Sequence, residues 1–218
     1  MSTDTAPTSD EAPDVAPDLA RTVSAAVHRL QSEVTHDRTR QSGSSRAVVA
    51  TLRNASGFAP GDHARAWTLV LEEMVPDIHA YWLPTDEPSR QEWAAYTAIT
   101  HWALHQQSQS KPMHISAPRR DQNLGYAAGL LSSRRGSASI KSRFDALLLN
   151  PGDNAARHHL RSMVQLLRTE EIPTDYGLLA QDLAVLRGPG GRRRVSLRWG
   201  RGYAWGASAS PEDGPSDS

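Results

Sequence analysis

The segment that decides the fold is residues 171–205, which read EIPTDYGLLAQDLAVLRGPGGRRRVSLRWGRGYAW. Its leucines recur at helical spacing, which predicts a helix that begins at Thr174 and packs one face on a core. The Gly/Pro run at 188–191 predicts the end of this helix, with no further helix after it. Residues 195–199 then alternate apolar and polar side chains, which indicates a short strand or an extended tail lying on the helices.

The remainder of the chain carries the helical pattern almost everywhere. Candidate helices fall at residues 23–34, 46–54, 67–74, 93–103, 124–131, 140–148 and 160–167. Asp18, Asp62 and Asp121 are placed as N-caps, and Ser89 with Glu92 forms a capping box. Because strands never alternate with helices, we predict an all-α fold, a single bundle of about eight helices.

The two ends of the chain differ in composition from its centre. Residues 1–18 and 206–218 are rich in Pro, Ser and acidic residues, with few large apolar side chains. Such segments cannot bury enough surface to offset chain entropy. We therefore predict a disordered acidic N-terminal extension at 1–18, a helical domain at 19–205 and a disordered acidic tail at 206–218.

The formal net charge of zero conceals an uneven distribution. The two ends hold eight acidic residues and no basic ones, so 24 basic residues face only 16 acidic residues elsewhere, about +8. All but Lys111 and Lys141 are arginines, whose planar forks match phosphate oxygens. A GC-rich genome would also favour arginine over lysine, but it would not produce the charge excess. The pattern predicts that 19–205 is a nucleic-acid-binding domain.

Several classes of protein are disfavoured by what the sequence lacks. There is no cysteine, so disulfides and Cys-based zinc sites are excluded. No apolar run reaches the length needed to span a membrane, and residues 1–20 have no signal-peptide pattern. We predict a cytoplasmic protein without a membrane partner.

One pair of histidines is the strongest hint of catalysis. His101 and His105 lie four residues apart, as in a zinc-binding helix, but Trp102 occupies the position where a zincin has its glutamate. No phosphate loop or nucleophile elbow is present. We predict no catalytic residue, no metal and no cofactor, hence no enzyme. A small metal-dependent hydrolase built on the two histidines remains an alternative.

The basic residues cluster in ways that suit a phosphate backbone. Arg46 and Arg53 lie seven residues apart, on one face of a helix. Three arginines of the helix predicted from Asn154 to Arg168, which carries the apolar stripe at 160–167, lie within about 40° of one another. The three are Arg157, Arg161 and Arg168. No zinc finger or helix-turn-helix is evident, so we expect backbone tracking without base-specific reading. A stand-alone nucleic-acid-binding regulator is the alternative in this class.

Seven motifs follow one another along the chain: ATLRNASG (50–57), EWAAYTAITHWALHQQ (92–107), NLGYAAGLL (123–131), KSRFDALLLN (141–150), HHLRSMVQLLR (158–168), IPTDYGLLAQDL (172–183) and RWGRGYAW (198–205). In this order they resemble the CasB-type small subunit of the type I-E CRISPR Cascade complex. Most of these motifs encode helix packing, and the resemblance runs from about residue 20 to 205.

This resemblance implies a non-catalytic subunit that stabilises the R-loop in antiviral defence. The implied partners are other Cascade subunits, CRISPR RNA, the target DNA strands and a second copy of the chain. Carried over by position, the first candidates for nucleic-acid contact are Arg46, Arg53, Arg119, Arg120, Lys141 and Arg143. Three further candidates are Arg134, Arg157 and Arg161.

Overall fold

The structure is a computed structural model and describes residues 18–35, 40–78, 86–117, 119, 122–136, 138–149 and 153–209. Within these ranges it is all-α, as predicted, with nine α-helices. They are α1 (Leu19–Thr35), α2 (Arg40–Ala55), α3 (Ala64–Thr68), α4 (Arg90–Gln106), α5 (Leu124–Arg135), α6 (Ala138–Leu149), α7 (Asp153–Thr169), α8 (Tyr176–Leu186) and α9 (Gly191–Ser208). A π-helical segment, Leu69–Met74, continues α3, and a 3-10 turn follows at Pro76–Ile78.

Most of the predicted disordered ends lie outside the described residues. Helix α9 continues to Ser208, three residues past the predicted domain boundary at 205. No helix in the described ranges is both long and apolar enough to cross a bilayer.

The capping residues define where several helices begin. The capping box before α4 is confirmed, because the Glu92 N–H donates to Ser89 Oγ at 3.1 Å and the Ser89 N–H donates to Glu92 Oε2 at 2.7 Å. Asp18 caps α1 through a 3.3 Å bond from the Arg21 N–H. These side chains satisfy N–H groups that have no partner within the helix.

Three predicted helix starts were wrong by one or two residues. His63, not Asp62, caps α3, with its ring nitrogen accepting from the Ala66 N–H. Asn123 caps α5 in place of Asp121, which lies outside the described residues. Helix α8 is capped by Asp175 one residue after the predicted start. Histidine is not a favoured N-cap, and adjacent Asp and Asn compete for the same position, so spacing alone does not separate them.

Helix α4 forms the centre of the bundle. Every residue from Glu92 to Gln106 is buried, and the helix packs against α1, α2, α7 and α8. Trp102 at its middle is fully buried, and its indole N–H donates to Gln31 Oε1 at 3.3 Å. A helix buried on all sides must be enclosed by other helices, and the longest aromatic-rich motif lies here.

The prediction for residues 195–199 was wrong, because this segment belongs to helix α9. From Val195 onward, the buried positions of α9 are Val195, Trp199, Gly202 and Gly206, spaced four, three and four residues apart, whereas Leu197 is 53% exposed. The sequence concealed this helical period because glycines fill half of the buried stripe. The prediction that no helix follows the run at 188–191 was also wrong, since Gly190, at φ 62°, turns the chain directly into α9.

Helices α5 and α9 approach each other closely through these glycines. A methyl group added at Gly129 would overlap the Tyr203 carbonyl oxygen and lie 2.7 Å from the Ala207 nitrogen. Gly125 faces the Trp199 backbone in the same way, and Gly206 faces that of Tyr126. This is the most extensive helix pair in the described structure, and it anchors the C-terminal helix to the bundle.

One buried carboxylate fixes α9 to α8. Asp182 of α8 accepts from the Trp199 indole N–H and pairs with the Arg198 guanidinium. The Asp182 side chain is only 3% exposed, and a buried carboxylate is tolerated when charged and neutral donors surround it. Trp199 is therefore a core residue that anchors the C-terminal helix to the bundle.

Candidate nucleic-acid interface

A polar groove lies between the C-terminal end of α1, one face of α2 and the turn after α4. Its volume is about 490 Å³. Its lining consists of Val34, Thr35, Arg46, Val49, Ala50, Arg53 and residues 106–110. We call it the α2 groove.

Two of the predicted contact residues, Arg46 and Arg53, line this groove together. Their seven-residue spacing was predicted to place them on one face, and both belong to the same groove lining. Arg46 is exposed and has no hydrogen-bond or ion-pair partner among the described residues. Arg53 donates to Asn54 Oδ1 from Nη2 at 3.1 Å, and no described carboxylate pairs with it. Two cations with no carboxylate partner among the described residues therefore line one groove.

The opposite side of the groove is a turn held by side-chain hydrogen bonds. The Gln106 amide nitrogen donates to the carbonyl oxygens of Gln109 (3.1 Å) and Lys111 (2.9 Å), and its Oε1 accepts from the Met113 N–H. Gln109 donates in turn to the Arg168 carbonyl at 2.9 Å. Between these residues Ser108 has a φ of 60°, a left-handed conformation that costs a non-glycine residue on the order of 1 kcal/mol.

The three arginines of α7 bond to other residues of the protein, and one of them, Arg168, contacts the groove residue Gln107. Arg157 is only 9% exposed and donates to Asn154 Oδ1 at 3.4 Å. Arg161 donates to Ser56 Oγ at the end of α2, and Arg168 donates to Gln107 Oε1 at 2.7 Å. Arg157 is therefore buried, and Arg161 and Arg168 are half-buried and bonded to other side chains. None of the three lines the groove, whereas Arg46, which is exposed, and Arg53, which is half-buried, both do.

The remaining predicted contact residues lie elsewhere in the fold. Lys141 and Arg143 are exposed on α6, where Lys141 pairs with Asp145 and Arg143 donates to Ser162 Oγ at 3.1 Å. Helix α6 packs on α5 and α7, whereas α2 packs on α1, α3 and α4. The structure therefore does not gather all nine candidates into one site.

Three candidates remain, of which the structure describes two, one in a loop and one at the end of α5. Arg119 is exposed, with its guanidinium 4.9 Å from the Trp205 ring centre, and Arg120 lies outside the described residues. Arg134 is exposed near the end of α5 and donates to the Glu170 carbonyl at 2.9 Å. These positions extend the basic surface but do not line the α2 groove.

A second group of exposed arginines, on α9, was not among the predicted contact residues. Arg192, Arg193, Arg194 and Arg201 are all exposed on α9. Of these, Arg194 donates to the Pro189 carbonyl at 3.2 Å. The run at 192–194 was visible in the sequence, but the prediction that no helix follows residues 188–191 concealed that Arg194 and Arg201, seven residues apart, share one face of α9.

The two histidines that suggested a hydrolase are core residues. Both rings are fully buried, and Nδ1 of His101 donates to the Thr97 carbonyl at 2.7 Å while Nδ1 of His105 lies 2.9 Å from the Tyr176 hydroxyl. Burial lowers the pKa of His101 to about 4 and that of His105 to about 3. Within the described ranges, no group of three or more His, Asp or Glu residues is arranged to hold a metal ion. The geometry gives the hydrolase alternative no support.

A single-domain, all-α protein with exposed arginines is the class that this fold and surface define. The family model of the CRISPR-associated protein Cse2 matches residues 48–203, and the chain belongs to this family. No curated protein matches the chain. The resemblance to the CasB-type small subunit is thereby confirmed, and the chain is a Cascade-related structural subunit of a CRISPR complex.

Solved structures agree with this assignment. CasB from Thermobifida fusca is 29% identical, with a TM-score of 0.67 over 86% of this chain and 98% of that one. A Cse2-family protein from Thermus thermophilus is 24% identical, with a TM-score of 0.59 over 85% and 97% of the two chains. CasB from M. ruber shares the fold at 19% identity, with a TM-score of 0.53 over 83% and 93%.

Proposed function

We propose that this subunit binds the phosphate backbone of nucleic acid through the α2 groove and stabilises the R-loop of a CRISPR RNA-guided complex in antiviral defence. The observation that carries the proposal is the pair Arg46 and Arg53, which line one groove without carboxylate partners among the described residues. The proposed partners are CRISPR RNA, the strands of target DNA, the other Cascade subunits and a second copy of this chain. We place this role in the cytoplasm.

The physical task of the arginines follows from the energetics of strand exchange. An RNA–DNA heteroduplex is about as stable as the DNA duplex it replaces, so a few protein contacts to the strands can tip the balance. Exposed guanidinium groups supply such contacts by bidentate binding of phosphate oxygens. The half-buried Arg161 and Arg168 add positive potential to the groove without needing to touch the strand.

Removing the two groove arginines should weaken nucleic-acid binding. We expect the double variant Arg46→Gln/Arg53→Gln to bind single-stranded DNA at least about tenfold more weakly at low salt, because two charge-assisted contacts are lost. The slope of log affinity against log salt should become shallower by about 1.4, or about 0.7 for each lost phosphate contact. Fluorescence anisotropy over a salt series measures both quantities on the full chain.

Arg21→Gln is the matched control for this experiment. Arg21 is also exposed, but it lies at the start of α1, thirteen residues and about 20 Å along the helix from the groove residue Val34. We expect the affinity of the Arg21→Gln variant for single-stranded DNA, and the salt slope of that affinity, to stay near those of the unmodified protein. If Arg21→Gln weakened binding as much per removed charge as the double variant does, net charge and not the groove would drive binding. No detectable binding by the unmodified chain would contradict the proposed function.

A further inference from the structure

The α2 groove has three chemically different parts. Arg46 and Arg53 lie about 10 Å apart along α2, and Val49 and Ala50 form an apolar strip between them on the same helical face. The opposite side offers the hydroxyls of Ser108 and Ser110, neither of which has a described hydrogen-bond partner. A surface that only followed phosphates would not need an apolar strip faced by neutral hydrogen-bonding groups.

This combination matches the parts of a single unpaired nucleotide. Phosphates carry the charge that guanidinium groups bind, the flat face of a base packs on apolar surface, and base edges exchange hydrogen bonds with hydroxyls and amides. A base stacked within a duplex has no free face to offer. The groove volume of about 490 Å³ lies within the range of about 300–1,000 Å³ that is usual for small-ligand sites.

The conformation of the turn that carries Ser108 and Ser110 favours contact with a nucleotide. Ser108 keeps a left-handed backbone, φ 60°, where glycine would be unstrained. The three hydrogen bonds of Gln106 and the bond from Gln109 to the Arg168 carbonyl hold the turn in place. A strained residue maintained by its surroundings and facing a groove supports a binding role for its side chain.

We infer that the α2 groove holds one unpaired nucleotide of the bound strand, with its phosphates at Arg46 and Arg53 and its base between the Val49/Ala50 strip and the Ser108 side. The inference rests on the proposed function and goes beyond it, because backbone tracking alone makes no use of a base. It predicts binding that depends on the presence of bases but only weakly on which bases they are.

The test compares an intact single-stranded DNA with the same strand carrying tetrahydrofuran abasic sites at alternate positions. Both strands have the same phosphates, so their backbone contacts are equal. We expect the full chain to bind the abasic strand about fivefold or more weakly, since one base–protein contact contributes about that factor. Ala50→Leu fills the apolar strip and should reduce binding of the intact strand to the abasic level while leaving the salt slope unchanged.

A second variant keeps the test decisive if Ala50→Leu does not fold. Ser108→Gly removes the hydroxyl at a position where glycine is unstrained, and it should reduce the preference for the intact strand about twofold or more. Glu171→Gly is its matched control, because Glu171 also has a left-handed backbone, φ 50°, but does not line the groove. Measurable binding with equal affinity for both strands would overturn this inference alone. No binding of either strand would overturn the proposed function with it.

Discussion

Replacing Gly129 with alanine should destabilise the fold by about 3 kcal/mol and lower Tm by roughly 6–12 °C. The added methyl group would overlap the Tyr203 carbonyl oxygen and lie 2.7 Å from the Ala207 nitrogen. Both obstacles are backbone atoms, so no change of side-chain rotamer relieves the overlap and α9 must move away from α5. Thermal and urea denaturation, followed by circular dichroism, measure the change.

Gly200 provides the control within the same helix pair. It lies on α9, and nothing stands within 4 Å of the place where its methyl group would be. Gly200→Ala should therefore be neutral or stabilising by up to about 1 kcal/mol, because alanine is the better helix former. If alanine at Gly129 were tolerated as well as alanine at Gly200, the close α5–α9 packing would be wrong.

Acid should also destabilise the protein strongly, through His101 and His105. Burial, with a smaller contribution from Arg161 for His101 and from Arg168 for His105, lowers the pKa of these residues from an ordinary value of 6.5 to about 4 and about 3. The folded state keeps both rings neutral, whereas the unfolded chain takes up protons below pH 6.5. The two neutral histidines therefore make their full contribution to the free energy of unfolding above pH 6.5. This contribution decreases as the pH falls toward 4 and then 3.

The expected loss is large compared with ordinary protein stability. For each histidine, the free energy of unfolding falls by about 1.4 kcal/mol per pH unit between the pKa of the unfolded chain and that of the folded protein. His101 alone therefore lowers it by about 3 kcal/mol by pH 4. Urea midpoints measured from pH 7.5 to pH 4 report this decrease. His101→Gln and His105→Gln should flatten it, while His158→Gln, at an exposed position on α7, should leave it unchanged. An unmodified protein with constant stability over this range would contradict the buried, neutral histidines.

The sequence predicted helices well where their buried faces carry large apolar side chains. Leu160, Met163, Val164 and Leu167 are all buried on α7, at the predicted spacing. The prediction was wrong for α9, because half of its buried stripe is glycine. The packing of this helix depends on the close approach of two backbones, which hydrophobic periodicity does not detect. Some N-cap predictions were wrong for a similar reason. Several polar side chains near a helix start compete for the same N–H groups, and only the three-dimensional geometry decides among them.

The candidate site was predictable only in part. Spacing alone placed Arg46 and Arg53 on one face, and they do line one groove. Nothing local in the sequence joins them to residues 106–110, which follow them by more than fifty positions and reach the groove through the packing of α2 on α4. The left-handed Ser108 and the burial of Arg157 likewise depend on tertiary contacts.

The central claim is that the α2 groove helps the assembled complex to open target DNA. The most direct test is R-loop formation by Cascade complexes purified through this subunit, either unmodified or with Arg46→Gln/Arg53→Gln. We predict that both preparations contain the same subunits and CRISPR RNA, and that the variant complex forms R-loops at least about tenfold less efficiently. Equal R-loop formation by two equally assembled complexes would contradict the claim, as would purification of the unmodified subunit without CRISPR RNA.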